Sequence, residues 1–287
     1  MTKLCDLHCH STNSDGTDTP AKLIEIARSS RLAAIALTDH DTIAGIDEAY
    51  HESEKYGIDF INGIELSVIS DSGNMHMLGY LYNSENEEFL SAISLVHNAR
   101  ANRNKKILDK LSALGMPIKF HDLEIISGGG EIGRPHFARV MLEYGYVKSL
   151  QMAFDLYLKK GAPAYEPKAI LTPAEAIKII HNAGGVAVLA HPITLNIALP
   201  ADLIKAISDL KEAGIDGIEC YYPEHDTQFT RELLEICKKL YLVSTGGSDY
   251  HGKAKPTIKL GKGKGSLAIP YECVINLRKR REKIHAL

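Results

Sequence analysis

Short apolar runs alternate with amphipathic helical stretches along most of this chain, and nearly every short run ends in a histidine or a carboxylate. The runs are Leu4–His8, Ala34–Thr38, Ile58–Ile69, Met75–Tyr82, Val186–Ala190, Ile215–Cys220 and Leu242–Thr245. Apolar strands of this length, separated by helices, build a mostly parallel sheet with helices packed on its faces. About seven such strands in 287 residues predict an α/β barrel folded as one unit. Thr19-Pro20 and Thr172-Pro173-Ala174-Glu175 mark helix starts: each pairs a capping hydroxyl with a proline at the first helical position. Ser70-Asp71-Ser72-Gly73-Asn74 reads as a hairpin turn between the third and fourth strands.

The alternation is interrupted once. A long helix from Asn86 to Leu114 leads into a stretch with short helical pieces, a Gly128-Gly129-Gly130 loop and no convincing strand. The barrel is therefore expected over residues 1–98 and 168–287, with a helical insertion over 99–167 that caps the substrate. A terminal helix carries Arg278-Lys279-Arg280-Arg281, which reads as a solvated face.

A chain of this length buries enough surface to fold without disulfides. Five cysteines, none spaced as C-x-x-C, read as reduced thiols. No run approaches the ~20 apolar residues of a membrane span, and the first residues lack a signal peptide's apolar core. A cytoplasmic protein is expected. The net charge of -3 argues against a dedicated duplex-binding protein but allows a local basic pocket.

His8 and His10 lie two apart at the end of the first strand, so the period of two places both on one face with Asp6 beneath them. Cys5, Leu7 and Cys9 take the other face and read as core. Asp15 follows in the next loop, and His40 after the second strand. Glu65 lies on the third, His76 starts the hairpin partner, His191 ends the fifth, and Asp249 and His251 follow the last. All nine fall at the end of the barrel where such folds gather their reactive groups. Six imidazoles and three carboxylates with no thiolate suit zinc, manganese or iron, and could hold two or three divalent ions. Such a cluster is net positive and attracts an anion. Clustered ions activate water and clamp both oxygens of a displacement at phosphorus, so the residues point to phosphoester hydrolysis ahead of amide or ring hydrolysis.

The motifs Asp6-Leu7-His8-Cys9-His10-Ser11, Asp15-Gly16 and Leu37-Thr38-Asp39-His40-Asp41 resemble the opening of the PHP (polymerase and histidinol phosphatase) family. Gly63-Ile64-Glu65, His76, Leu189-Ala190-His191-Pro192 and Gly247-Ser248-Asp249-Tyr250-His251 match its later motifs in order. The resemblance implies a distorted (βα)7 barrel and a trinuclear site. His8, His10, Glu65 and Asp249 would hold one ion; Asp15, His40 and His251 a second; Glu65, His76 and His191 a third. Glu65 would bridge, a metal-activated hydroxide would attack phosphorus, and Glu65, Asp249 and His191 are the residues on which turnover is expected to depend.

Within the insertion, Arg100-Ala101-Asn102-Arg103, Ile132-Gly133-Arg134-Pro135-His136-Phe137-Ala138-Arg139, Gly145-Tyr146-Val147 and Gly161-Ala162-Pro163-Ala164-Tyr165 resemble a branch of nucleoside 3′,5′-bisphosphate phosphatases that also act as 5′→3′ exonucleases. Pro135 reads as the first helical position, so a helix N-terminus meets Arg134 and His136. Spacing alone serves helix capping and a pair with Glu131 equally well; the metal site opposite favours anion binding. Arg134, His136, Arg100 and Arg103 are the expected substrate-binding residues. The leading expectation is hydrolysis of the 3′-phosphate of a nucleoside 3′,5′-bisphosphate such as pAp. The alternatives are a 5′→3′ exonuclease on short 5′-phosphorylated oligonucleotides, a histidinol phosphatase, and a non-catalytic nucleotide- or metal-sensing module. The partner is a nucleotide or short oligonucleotide, with no duplex, membrane or obligate protein partner expected. His51, His97, His121, His181, His225 and His285 receive no role.

Overall fold

A computed structural model describes residues 3–70, 73–127, 132–166, 171–197 and 200–286, without the side chains of residues 100, 101 and 285. The predicted turn at residues 71 and 72, the triple glycine at 128–130, Glu131 and the side chain of Arg100 lie outside the described residues. The first half runs β1 (Leu4–Asp6), α1 (Pro20–Ser29), β2 (Ala34–Leu37), α2 (Ile46–Tyr56), β3 (Asp59–Val68), β4 (Met75–Tyr80) and α3 (Glu87–Ala113). Next come α4 (Phe120–Ser127), α5 (Arg134–Glu143), α6 (Leu150–Ala153), a π-helical turn at Phe154–Leu158, and α7 (Pro173–Asn182). The chain ends with β5 (Val186–Leu189), α8 (Pro200–Glu212), β6 (Gly217–Tyr221), α9 (Thr227–Leu240), β7 (Val243–Gly246), β8 (Ile269–Pro270) and α10 (Glu272–His285).

The strands form one sheet in the order β7-β6-β5-β4-β3-β2-β1-β8. It curls into a nearly closed barrel. Closure depends on one carboxylate and a few backbone bonds. Leu7 N–H donates to Gly246 O at 3.1 Å, Asp249 N–H to His8 O at 2.8 Å and His10 N–H to Tyr250 O at 2.9 Å. Below them Asp6, fully buried, accepts from the backbone of Ser248 at 2.9 Å and Gly261 at 2.6 Å. Asp6 therefore seals the seam rather than joining the histidines above it. Leu7 takes the last residue of β7 as partner and His8 the segment after it, and β1 stops at Asp6, short of the expected His8. The eighth strand, two residues long and antiparallel to β1, was not legible in the sequence.

β4 runs antiparallel to both β3 and β5, so its first residues lie at the C-terminal ends of its neighbours. The reversal also sends the chain to the lower end of the barrel, where Asn83 N–H donates to Ala183 O at 2.7 Å. From there α3, with 27 residues and a rise of roughly 40 Å, climbs past the barrel's upper rim. Its second half enters a separate apolar core that includes Ile107, Leu111, Leu123, Phe137, Met141 and Leu158. The chain returns along β3, where Ile69 N–H donates to Leu171 O at 2.8 Å, and α7 descends from its Thr172–Glu175 capping box.

Inside the barrel, Cys5, Leu7, Ala34, Ala36, Ile61, Leu78, Val186 and Val188 pack around Tyr80, whose hydroxyl crosses to Leu7 O at 2.7 Å. α10 closes the lower end with Cys273, Val274 and Leu277. Each aliphatic side chain buried this completely contributes about 1.5–3 kcal/mol. Cys9 departs from the expected parity with Cys5 and Leu7: it packs outside, against Leu23, Ile24 and Leu37. On α10, Arg278 reaches Asp59 at 2.6 Å, Arg280 reaches Asp216 at 2.8 Å, and Arg281 reaches Gly184 O at 3.3 Å, so this face is pinned to the barrel rather than merely solvated. Among the described residues no helix is long and apolar enough to cross a membrane.

Candidate metal centre

The nine residues singled out by pattern converge at the upper mouth of the barrel. Their donor atoms form four overlapping groups, each with members within 4.8 Å of one another: His10, Asp15, His40 and His251; His8, Glu65 and His191; His8, His10 and Asp249; His40, Glu65 and His76. Glu65 sits at the middle. Its Oε1 lies 2.7 Å from His76 Nδ1 and 2.8 Å from His191 Nε2, and its Oε2 lies 3.2 Å from His8, His10 and His40. The grouping is more shared than the expected partition: His10 also falls with Asp15, His40 and His251, and His8 with Glu65 and His191.

The residues fit a metal cluster on the chemistry of their donors. His8 Nε2 and His10 Nε2 point at each other across 3.1 Å, and His76 Nδ1 and His191 Nε2 across 3.3 Å. Two imidazole lone pairs converging on one space are satisfied together by a shared cation. Burial alone would push Asp15, Glu65 and Asp249 up, yet the imidazoles around them, with Lys255 at Asp249, hold all three carboxyls well below the usual range. Burial disfavours a charged His10, but Asp249 and Glu65 outweigh it and raise the ring to about 9. The site is thus an array of anionic oxygens that binds positive charge in whatever form is supplied. No thiolate competes: burial pushes the Cys9 thiol well up, and its Sγ donates to Ala36 O at 3.2 Å.

The strand ends are bent to present these groups. His191 (φ 25°), Asp249 (φ 53°) and Asp41 (φ 53°) adopt left-handed conformations that non-glycine residues rarely take. Each such residue costs about 1–3 kcal/mol and persists only where its surroundings enforce it. Asp41 is fixed by Ser67, whose N–H and Oγ donate at 2.8 and 3.0 Å. Asp39 accepts from the hydroxyl and backbone of Ser11 at 2.6 and 2.7 Å, which ties the loop after His10 to β2. Gly247 is required by close packing, since a β-carbon there would stand 2.0 Å from His8 Cβ.

Three supporting residues went unread in the sequence. Glu219, fully buried on β6, holds His8 Nδ1 at 3.0 Å and accepts from His191 N–H at 2.8 Å. Tyr222 donates its hydroxyl to Asp249 Oδ2 at 2.9 Å, and Lys255 Nζ donates to the same oxygen at 2.6 Å. A carboxylate inside the apolar run Ile215–Cys220 was the available signal for Glu219. Lys255 carried none beyond its nearness to His251.

A cavity of about 510 Å³ opens over the cluster. Asp15, His40, His76 and His251 line one side; Arg103, Arg134, His136 and Phe154 line the other, with Lys255 between. The helix beneath this second wall begins at Arg134, with Gly133 as its cap, so Pro135 takes the second helical position rather than the first. His136 Nδ1 accepts from Gly133 N–H at 2.9 Å, which leaves Nε2 to carry the ring proton of the neutral imidazole. Arg134 bonds Leu158 O at 3.2 Å, at the end of the π-helical turn, and its guanidinium stacks 5.2 Å from the Tyr165 ring. Arg103 is nearly buried and bonds Asn104 at 2.9 Å.

A barrel whose upper rim gathers six imidazoles and three carboxylates beneath a cavity that Arg103 and Arg134 also line defines a metallohydrolase suited to anionic substrates. The PHP domain model matches residues 6–159. A 5′-3′ exoribonuclease of Haemophilus influenzae is 34% identical over 251 residues, 88% of this chain and 91% of the relative. A 3′,5′-nucleoside bisphosphate phosphatase of Chromobacterium violaceum is 31% identical over 247 residues, 86% of each. The crystal structure of a putative metal-dependent phosphoesterase from Bifidobacterium adolescentis superposes with a TM-score of 0.79 at 32% identity, covering 97% of this chain and 96% of that one. The chain belongs to the PHP domain family and is a metal-dependent phosphoesterase.

Proposed function

We propose that the enzyme breaks a P–O bond on the 3′ side of a 5′-phosphorylated nucleotide, with the 3′-phosphate of a nucleoside 3′,5′-bisphosphate such as pAp as its principal target. One observation carries this reading: a single cavity joins four of the nine metal donors, Asp15, His40, His76 and His251, to Arg134 and His136. A substrate with one phosphate at the cluster and a second at the arginine wall uses both ends.

The donors His8, His10, Asp15, His40, Glu65, His76, His191, Asp249 and His251 would hold two or three divalent ions, of manganese, iron or zinc. When bound, such ions supply Lewis acidity, lowering the pKa of water and neutralising charge on phosphoryl oxygens. The chain's own residues do the rest. Arg134 offers a planar fork matched to a phosphate's oxygens, and its stacking on Tyr165 fixes the plane. His136 Nε2–H donates beside it at a helix N-terminus, where the dipole favours an anion. Arg103 lines the same wall and adds positive charge behind them. Glu219 sets the proton of His8 on Nδ1 and so keeps Nε2 available. The substrate is thereby oriented by its remote phosphate, which turns binding energy into position at the reacting phosphorus.

Cleavage of short 5′-phosphorylated oligonucleotides is the second reading, favoured by the Haemophilus influenzae relative's name. The two differ only in what leaves from the 3′ side. The barrel with its helical cap over residues 99–167 would work alone, without a protein partner. The buried, unpaired thiols of all five cysteines suit the reducing cytoplasm.

Assays of protein loaded with Mn, Fe(II) or Zn decide the matter, reading phosphate release from pAp, 3′-AMP, 5′-AMP and histidinol phosphate and mononucleotide release from a 5′-phosphorylated trinucleotide. Preference for pAp over both monophosphates is expected. Faster action on the trinucleotide would make the enzyme chiefly an exonuclease, and preference for histidinol phosphate would overturn the two-phosphate reading.

A further inference from the structure

We infer that Lys255 is a phosphate-binding residue of this site, its ammonium anchored on the outward oxygen of Asp249 and turned toward the ester held between the metal donors and Arg134. The inference rests on the reading of the cavity as a phosphoester site. Asp249 divides its two oxygens between two tasks. Oδ1 faces the histidines, 3.3 Å from His10 Nε2, 3.4 Å from His251 Nδ1 and 3.7 Å from His8 Nε2. Oδ2 faces away and accepts from Tyr222 at 2.9 Å and Lys255 at 2.6 Å. Tyr222 and Lys255 together fill the two acceptor sites of that oxygen, while the imidazoles surround the other.

The exposure of Lys255 points the same way. The Lys255 side chain is 42% exposed against 9% for Asp249, so the pair is open on the lysine's side. Lys255 lines the same cavity as Arg134 and His136. An ammonium has three N–H groups, and Asp249 occupies one. The backbone that delivers it is constrained: the turn Gly252–Ala254 starts from a left-handed Gly252 (φ 63°) whose missing β-carbon would meet Thr17 Oγ1 at 2.2 Å. A fixed ammonium beside the reacting phosphoryl group offsets charge that grows as the P–O bond breaks, and needs no rearrangement to do so.

The test compares Lys255→Met, Lys255→Arg and, as a control on the exposed turn, Lys253→Met. Three quantities are read: metal content after loading with Mn, affinity for inorganic phosphate by calorimetry on metal-free and loaded protein, and turnover of pAp. For Lys255→Met, unchanged metal content is expected, with phosphate affinity down about tenfold and kcat/KM down about a hundredfold. Lys255→Arg should recover part of both, and Lys253→Met should match the parent. Unaltered phosphate affinity in Lys255→Met overturns the inference, as does loss of metal equal to that in Asp249→Ala, which would make Lys255 a prop for Asp249. If the parent enzyme hydrolyses none of the esters, the proposed function fails, while the phosphate titration still judges Lys255.

Discussion

Glu219 and His8 lie 211 residues apart in the chain and 3.0 Å apart in the barrel, where the carboxylate fixes which imidazole nitrogen carries the proton. The other Glu219 oxygen accepts from the backbone of His191 at 2.8 Å, so one side chain aligns donors from two strands. Glu219→Ala should weaken metal binding by roughly 10–100-fold. Glu219→Gln, which keeps the shape but not the charge, should fall between. Titration with Mn and metal analysis of the variants would check this; wild-type affinity in Glu219→Ala would remove its aligning role.

Arg134→Ala should leave metal content intact and raise KM for pAp. A charge-assisted bond to phosphate is worth about 1.5–3 kcal/mol, or roughly 10–100-fold. The same change should hardly alter hydrolysis of 3′-AMP, which lacks the remote phosphate. Steady-state kinetics on the two substrates separate positioning from general damage.

Gly247→Ala is expected to cost roughly 3 kcal/mol or more, because the added carbon meets the β-carbon and backbone of His8 and neither can yield. A fall in Tm on the order of 10 °C, together with reduced metal content, would show that seam and site are built from the same atoms. A variant with parental Tm would contradict the packing described.

Asp216 offers a test by acid. Burial pushes its carboxyl up, but hydrogen bonds from His181 at 2.7 Å, Ala187 N–H at 2.9 Å and Arg280 at 2.8 Å hold it below the ordinary value. A depressed folded pKa contributes stability that is complete above the unfolded value of about 3.9 and lost as pH falls through the folded one. Asp216→Asn should therefore lower Tm at neutral pH and flatten its acid dependence below about pH 4. The loss at neutral pH should be about 1.5–3 kcal/mol, since Arg280 and His181 lose their charged partner but keep contact with solvent.

Chelation should abolish turnover without unfolding the barrel, because its apolar cores stand apart from the donors. An ion at a hundred times its Kd adds about 2.7 kcal/mol to folded stability, so Tm should drop while far-ultraviolet dichroism persists. Collapse of the helical signal on chelation would show that the metal is part of the fold.

Much of this was legible in advance because it follows from periodicity. The parity of His8 and His10, the long helix ending near Leu114, and the strand ends carrying His40, Glu65 and His191 are local properties of sequence. What escaped were contacts that periodicity does not encode, most of them between distant segments. Glu219 reaches His8 across the barrel, Lys255 reaches Asp249 through a short turn, and β8 exists only because β1 offers it an edge. Asp6 lies beneath the histidines as parity placed it, but its partners, Ser248 and Gly261, come from the far end of the chain and were not legible.

The reversed course of β4 bears on how such an enzyme can change. In a barrel of uniform direction, the helix after each strand starts at the reactive rim and descends, so added segments must fit within rim loops. Here α3 ascends, and whatever follows it arrives above the metal donors with its own core already supplied. The wall bearing Arg134 and His136 can then be lengthened, reshaped or exchanged while the donor residues stay where they are. On the proposed reading, the remote-phosphate wall and the donor cluster would be inherited on separate stretches of one chain, so that the first could diverge without endangering the second.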